Sequence, residues 1–289
     1  MPSTRSSDLI DVSGAVTTAS VDVVLPAYNE DPAAIAATAR AVFAQTHEVA
    51  HVFLVDDCSA VPVSLPHDIK GRITLGRTPT NSGISAARNL GISQSRSTYI
   101  ACINIEVIPR SDWVDACCRY LQQDPAIGVV ATRTVPADMT SIATRWRMRC
   151  QELPPPVASG PIDWGAGHAL MFRAAALRAV GGFDASMRKA HEDVDICRRL
   201  REAGWGVHFL SDTVCTSIQV DTLATLAKSE FNRFSWRADS GNGLVRCVFI
   251  ATNRAVQRSL SHLVFLRWSF LPVEVGLWLL GVRLAWRHR

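Results

Sequence analysis

Two polar side chains, Asn104 and Glu106, close the apolar run from Tyr99 to Ile103, and they are the first candidates for chemistry in the chain. The run holds aromatic and β-branched residues between the turn formers Ser95-Arg-Ser97 and Pro109, the pattern of a buried strand in a parallel sheet. Ligands of open α/β sheets gather beyond the carboxyl ends of such strands. Strand alternation predicts that both side chains point the same way. Convergent oxygen-bearing groups suit a hard metal ion or a polar ligand, although a strand that simply ends in water carries similar residues. Two acidic pairs stand in comparable places. Asp56-Asp57 follows the apolar run from His51 to Val55, and Glu192-Asp193 opens a helical stretch, where the helix N-terminus favours the ionised form.

The elements that must position these groups alternate between strand and helix. Val21 to Pro26 reads as a first strand stopped by proline. Asp31 is a helix cap with Pro32 at the first helical position, followed by the stripe Ile35, Ala39, Val42 and Phe43. A third strand is expected over Arg72 to Leu75, and a polar loop entering a helix over Asn81 to Gly91. Ser111 is expected to cap a helix through Trp113, Cys117 and Leu121, with strands at Ile127 to Ala131 and Val207 to Leu210. Helices are expected over Ala174 to Val180 and from Glu192 to a stop at Gly204. The order predicts a mostly parallel α/β sheet flanked by helices. Residues 136–161 read as a long connection of the binding-loop kind.

Composition sets the bounds. A chain of 289 residues with 48% hydrophobic content supplies a large core. A net charge of +4 is too mild for a general nucleic-acid binder. From Lys228 onward ten Lys/Arg face only Glu230, Asp239 and Glu274, a surplus of seven, while the remainder carries a deficit of three. A basic tail beside apolar residues points toward an anionic membrane surface. The eight cysteines form no C-x-x-C pair and read as buried thiols of a reducing cytoplasm. Residues 1–20 are Ser/Thr-rich without an apolar signal core and are expected to be a loose leader. A catalytic unit is expected over 21–218, with a helical region over 219–289.

Five segments in register resemble the family 2 inverting glycosyltransferases of the GT-A fold: Leu25-Pro-Ala-Tyr-Asn-Glu30, Val55-Asp-Asp-Cys-Ser59, Asn81 to Gly91, Gly181-Gly-Phe-Asp184 and Glu192 to Trp205. The resemblance covers roughly residues 20–212. It implies a hexosyltransferase-type enzyme that moves a single sugar from a nucleotide-diphosphate donor, UDP-sugar by default, to an acceptor hydroxyl. On this likeness Pro26, Ala27, Tyr28, Asn29, Glu30, Asp56, Asp57 and Ser59 line the nucleotide slot. Asn81, Gly83 and Arg88 approach the phosphates, with an internal Arg88–carboxylate pair as the competing role. Asp193 becomes the base, with Glu192 beside it on the acceptor side. Trp164, Gly165, Gly167 and His168 form the pocket floor.

The departures from that family matter as much. Its Asp-x-Asp at the tip of the fourth strand reads Asn104-Ile105-Glu106 here, and the later His ligand is missing from Ser211 to Ser217. Glu106 can still ligate Mg²⁺ or Mn²⁺, but Asn104 brings no charge. The metal would then be held through Glu106, the diphosphate and water, or be replaced by Arg and Lys. A third reading is a catalytically silent subunit that binds nucleotide sugar without turnover. A nucleotidyltransferase on a related sheet is a further alternative. In the tail, Glu230-Phe-Asn-Arg233-Phe only loosely resembles the Gln-x-x-Arg-Trp of processive synthases, which favours single-sugar transfer and leaves Arg233 a candidate diphosphate contact. Residues 262–286 are too interrupted by charge for a membrane span. With Trp268, Trp278 and Trp286 they suit a peripheral membrane contact at the inner face of the plasma membrane, or a hydrophobic helix packed on the catalytic domain or, as a homodimer, on a second subunit.

Overall fold

The computed structural model describes residues 19–150, 158–188, 190–235, 259 and 270–287. Most of the expected leader and residues 260–269, with Trp268, therefore lie outside the described residues, as do the side chains of Arg233 and Trp286.

Four strands, β1 (Val21–Ala27), β2 (His51–Asp56), β3 (Ile73–Arg77) and β4 (Tyr99–Ile103), pair in parallel in the order β3-β2-β1-β4. Beyond β4 the sheet turns mixed. β8 (Ala169–Arg173) runs antiparallel to both β4 and β6 (Ile127–Pro136). β9 (Gly206–Ser217) is parallel to β6, and β5 (Val107–Pro109) closes that edge antiparallel to β9. The short β7 (Gly160–Pro161) also pairs with β9. The parallel order expected from sequence thus holds for the first four strands, and the reversed β8 makes the remainder mixed. β8 is buried on both faces, so it lacks the alternation that would have marked it out.

Strand alternation builds one core on each face. Val21, Val23 and Leu25 of β1, with Tyr99, Ala101 and Ile103 of β4, face Ile35 and Val42 of α1 (Pro32–Phe43) and Trp113, Cys117 and Leu121 of α4 (Trp113–Gln123). Val24, Ile100 and Cys102 face the opposite way, with Leu177 of α6 (Ala174–Ala179) and Ile196 and Leu200 of α7 (Glu192–Glu202). α3 (Ile84–Gln94) carries Arg88 and the short α2 (His67–Lys70) precedes β3. Asp31 caps α1 as its sequence predicts, accepting the Ala33 N–H at 3.0 Å. Ser111 does not cap α4. Asp112 holds that position without a side-chain cap bond, because its carboxylate is taken by Arg110 at 2.6 and 2.7 Å.

The connection over 136–161 contains a helix, α5 (Ile142–Cys150). It joins α8 (Leu223–Ser235) and α9 (Leu271–Arg287) in a third apolar cluster of Ala143, Trp146, Leu226, Ala227, Phe270, Val273 and Leu277. Trp146 Nε1 donates to Glu274 Oε1 at 2.7 Å inside it. No helix among the described residues is long and apolar enough to cross a membrane. The fully buried indole is what this cluster is packed around. Trp146→Ala should therefore cost roughly 3–5 kcal/mol, as large-to-small core changes do. Trp146→Phe, which keeps most of the volume and loses the hydrogen bond, should cost about 1–3 kcal/mol. Urea titration of the two variants checks the order.

Candidate active site

The tips of β1 and β2 are clasped by their own polar groups. Asn29, in the left-handed region at φ 53, donates its N–H to Ser59 Oγ at 2.8 Å, and its Oδ1 accepts the Ala60 N–H at 2.9 Å. The Asp57 N–H donates to the Ala27 carbonyl at 2.8 Å, and Pro26 pairs with Val55. Both acidic residues of the pair are buried and used. Asp56 accepts N–H bonds from Ser59 at 2.8 Å and Val63 at 3.3 Å and pairs with Arg77. Burial pushes its carboxyl up, but the Ser59, Val63 and Arg77 contacts outweigh that and hold it below the usual range. Asp57 accepts from Thr78 Oγ1 at 2.7 Å, from Ser82 N–H at 2.9 Å and from Gly83 N–H at 2.7 Å. These carboxylates build the slot's walls by binding loop N–H groups. Tyr28 stays exposed at the mouth.

The loop before α3 closes from the other side. Arg188 donates to the Asn81 carbonyl, and Ser85 Oγ donates to the Met187 carbonyl at 2.8 Å. Gly83 sits at φ 91, and a Cβ there would lie 2.6 Å from Arg188 Cα, so both conformation and space require glycine.

Arg88 lies at the centre, with no exposed surface. Its Nη1 donates to Glu192 Oε1 at 3.1 Å, and its Nη2 to Asn104 Oδ1 at 2.8 Å and to the Gly167 carbonyl at 2.7 Å. The guanidinium stands 5.0 Å over the Phe183 ring. Of the two roles its sequence context suggests, the internal pair matches this geometry: a fully enclosed guanidinium positions other groups. Asn104 and Glu106 do not share a strand face. β4 ends at Ile103, and residues 104–107 form a turn in which the Val107 N–H donates to the Asn104 carbonyl at 3.2 Å and Glu106 adopts φ 71. Both nevertheless line one cleft, with His168, Thr134, Arg147 and Asp221.

Asp193 sits at the same end of the sheet. Its Oδ2 accepts the Gly167 N–H at 2.9 Å and its Oδ1 the Val194 N–H at 2.9 Å. The next residue, His168, accepts the Asn104 N–H on its carbonyl at 2.9 Å. A Cβ on Gly167 would press on Asp193 Cβ at 3.2 Å, so the bare backbone is what lets the carboxylate approach. Gly165 is packed against Ala131, whereas Trp164 is exposed. Asp193 is half-buried and its neighbour Glu192 is buried against Arg88.

Three groups at this site escape a reading of the sequence. Arg147 holds the buried Asp221 through two bonds of 2.7 Å, both residues lining the cleft, and Lys228 of α8 lies in the field of Glu30. Asp221, just before an apolar-periodic helix, was the one available signal.

The strand order, the helices on both faces and the cluster at the strand tips define a GT-A fold. The sequence profile of glycosyl transferase family 2 matches residues 22–181, more than half of the chain. The chain belongs to that family. The profile of glycosyl transferase family 21 matches residues 157–236. The pre-mycofactocin glycosyltransferase of Mycobacterium tuberculosis (strain CDC 1551 / Oshkosh) is 31% identical over 162 residues, 53% of this chain and 34% of that protein. The succinoglycan biosynthesis protein ExoW of Rhizobium meliloti (strain 1021) is 38% identical over 93 residues, 30% of this chain and 29% of its own. The chain thus spans about a third of the length of these curated relatives. Among solved structures, GalNAc-T7 with UDP, GalNAc and Mn2+ superposes with a TM-score of 0.56 at 13% identity, covering 77% of this chain and 51% of that one.

Among the described residues no three His, Cys, Asp or Glu side chains come together as a cage. The amide oxygen of Asn104 is taken by Arg88. Yet the carboxylates at the strand tip are raised, with Lys228 only partly offsetting the charge on Glu30. Burial raises Glu106, helped by Asp221 and Asp31, and burial with the Glu106 charge raises Glu30 to about 7. Hard oxygens that repel one another fit a hard cation whose remaining ligands arrive with a diphosphate.

The same shift sets a pH dependence. The folded chain holds the Glu30 proton more tightly than the unfolded chain, so stability falls as pH rises from about 4.5 through about 7 and the loss is complete above that. In EDTA, Glu30→Gln should flatten this decline and raise stability at pH 8 by about 1–2 kcal/mol, allowing for partial exposure. Urea midpoints at pH 5 and pH 8 measure it. An equal pH dependence in both proteins would contradict the assignment.

Proposed function

We propose that this chain transfers one sugar from a nucleotide-diphosphate donor to an acceptor hydroxyl with inversion, using Asp193 as the base. The observation that carries this reading is the fixed, half-buried Asp193 carboxylate, tied through Gly167 and His168 to the strand tip at Asn104. Each of its oxygens accepts one backbone N–H, which leaves lone pairs for an incoming hydroxyl.

The step is a single displacement. The acceptor oxygen attacks the anomeric carbon on the face opposite the diphosphate while its proton passes to Asp193. The bond from that carbon to the phosphate oxygen breaks, and the nucleoside diphosphate leaves with the electron pair. Glu192 pairs with Arg88 and keeps the first turn of α7 in place. The loops clasped by Asp56, Asp57 and Ser59 supply the base and ribose slot. Asn81 and Gly83 would approach the phosphates, and Glu30 would line the nucleotide slot. A Mg²⁺ or Mn²⁺ ion held by Glu106 would neutralise charge on the leaving diphosphate when bound. UDP-sugar is the first donor to test, in keeping with the UDP named for GalNAc-T7.

Asp193→Asn should lower turnover by about 10²–10⁴, the usual worth of a positioned general base, while nucleoside diphosphate binding measured by thermal shift stays unchanged. Turnover at the parent rate would remove Asp193 from the role. Release of nucleoside diphosphate separates sugar transfer from nucleotidyl transfer, which releases pyrophosphate. Binding with no turnover of any donor would favour the silent subunit. For the metal, Glu106→Ala should abolish activity and EDTA should inhibit only in part. Full activity of that variant in EDTA would overturn the metal assignment.

A further inference from the structure

The helices α5, α8 and α9 sort their charges in one direction. Their acidic side chains point inward, with Glu230 9% exposed and Glu274 2% exposed, the latter bonded to Trp146. Asp221, just ahead of α8, is buried against Arg147. Two basic side chains of α5, Arg145 and Arg149, point outward. Arg145 donates to the Met139 and Thr140 carbonyls at 2.8 and 2.6 Å, contacts that leave its charge uncancelled. Neither arginine has an ion pair among the described residues.

Beside these cations runs an apolar face that the protein does not bury. Along 217–221 the side chains alternate: Ser217, Gln219 and Asp221 line the cleft, while Ile218 and Val220 are exposed, Val220 at 53%. Leu223 follows at the start of α8, where a Cβ placed on Gly276 of α9 would meet it at 3.6 Å. Next to Gly276, α9 exposes Val275 at 57% and, one turn on, Leu279 at 55%. Met139 is also exposed. It lies two residues beyond Ala137, whose N–H is bonded to the Ser217 carbonyl, and its own carbonyl is bonded to Arg145. The opposite side of α9, Phe270, Val273 and Leu277, is already packed in the core.

We propose that this face rests on an anionic lipid surface. Ile218, Val220, Leu223, Val275 and Leu279 sit at the boundary of headgroups and acyl chains, and Arg145 and Arg149 meet lipid phosphates. An apolar stripe edged by outward cations, beside helices α8 and α9 whose described acids Glu230 and Glu274 are turned inward, is complementary to a negatively charged bilayer. The surplus of seven positive charges from Lys228 onward adds to that attraction. A second copy docking two-fold on the same face would set these arginines in a shared rim of like charge, which opposes it. α9 spans 17 residues, about 26 Å at 1.5 Å per residue, so it lies along the surface rather than through it.

The test is co-sedimentation of the full chain with phosphatidylcholine vesicles and with vesicles that also contain phosphatidylglycerol. Its readout is lipid binding and is independent of sugar transfer. The chain should sediment with the anionic vesicles. Val275→Glu with Leu279→Glu should weaken binding about tenfold or more at an unchanged melting temperature, and Arg145→Glu with Arg149→Glu should remove the preference for anionic lipid. No binding to either vesicle, or binding that survives Val275→Glu with Leu279→Glu, overturns the proposal. So does a concentration-dependent dimer, seen by light scattering, that those substitutions abolish. A fall in melting temperature in the same variant, without vesicle binding by the parent, would mean that the chain covers this face itself.

Discussion

A single buried guanidinium holds the functional end of this protein together. Arg88 cannot reach solvent, and burying a charge is tolerable only when pairing and hydrogen bonds replace its hydration. Here the replacements come from three separate parts of the chain: Asn104 at the tip of β4, the Gly167 carbonyl before β8, and Glu192 at the start of α7. Pairing the two terminal nitrogens of Arg88 therefore fixes the relative positions of the β4 tip, Gly167 and the first turn of α7. Asp193 inherits its place from this arrangement, since its partner Gly167 N–H belongs to the residue whose carbonyl Arg88 holds.

The tips of β1 and β2 follow a similar logic with opposite charge. Asp56 and Asp57 are acids at strand ends, and each gathers backbone N–H groups of loops with no secondary structure of their own. A buried carboxylate needs several donors, and a loop with unpaired N–H groups needs acceptors. Each solves the other's problem. The result is a slot whose walls are rigid without being strand or helix, with Gly83 admitting the Arg188 backbone to within a contact no side chain could allow.

Much of this was legible in the sequence, for reasons that can be stated. β1, β2, β4 and α1 announce themselves by apolar residues, and Asp31 before Pro32 fixes where α1 begins. The acidic pairs stand at strand and helix ends, where acids have local work, so their positions were readable. Their partners were not, because the Arg88 contacts span 16 to 104 residues of sequence. Alternation failed at Asn104 because the strand had already ended, and nothing in Asn104-Ile105-Glu106 signals a turn with Glu106 at positive φ. Pro136 and the polar stretch after it concealed α5. Only four of the twelve residues of β9 show a strand pattern, because its second half, Ser211 to Ser217, is polar on the edge it shares with β5.

Asn104 is best understood through the charge it leaves out. Glu30 and Glu106 are already held above the ordinary carboxylate range, and Asp31 and Asp221 add to the field on Glu106. Arg88 is the nearest cation to position 104, but its charge is already matched by Glu192. An aspartate at 104 would accept the same hydrogen bond from Arg88 while adding one more negative charge to a site short of cations. Asparagine accepts the bond without the charge. On the proposed reading the cost falls on cation affinity: with one fewer carboxylate, an ion would be held largely by Glu106 and by the phosphate oxygens of the donor. Any metal held this way is coupled to donor binding, because neither partner completes the coordination alone.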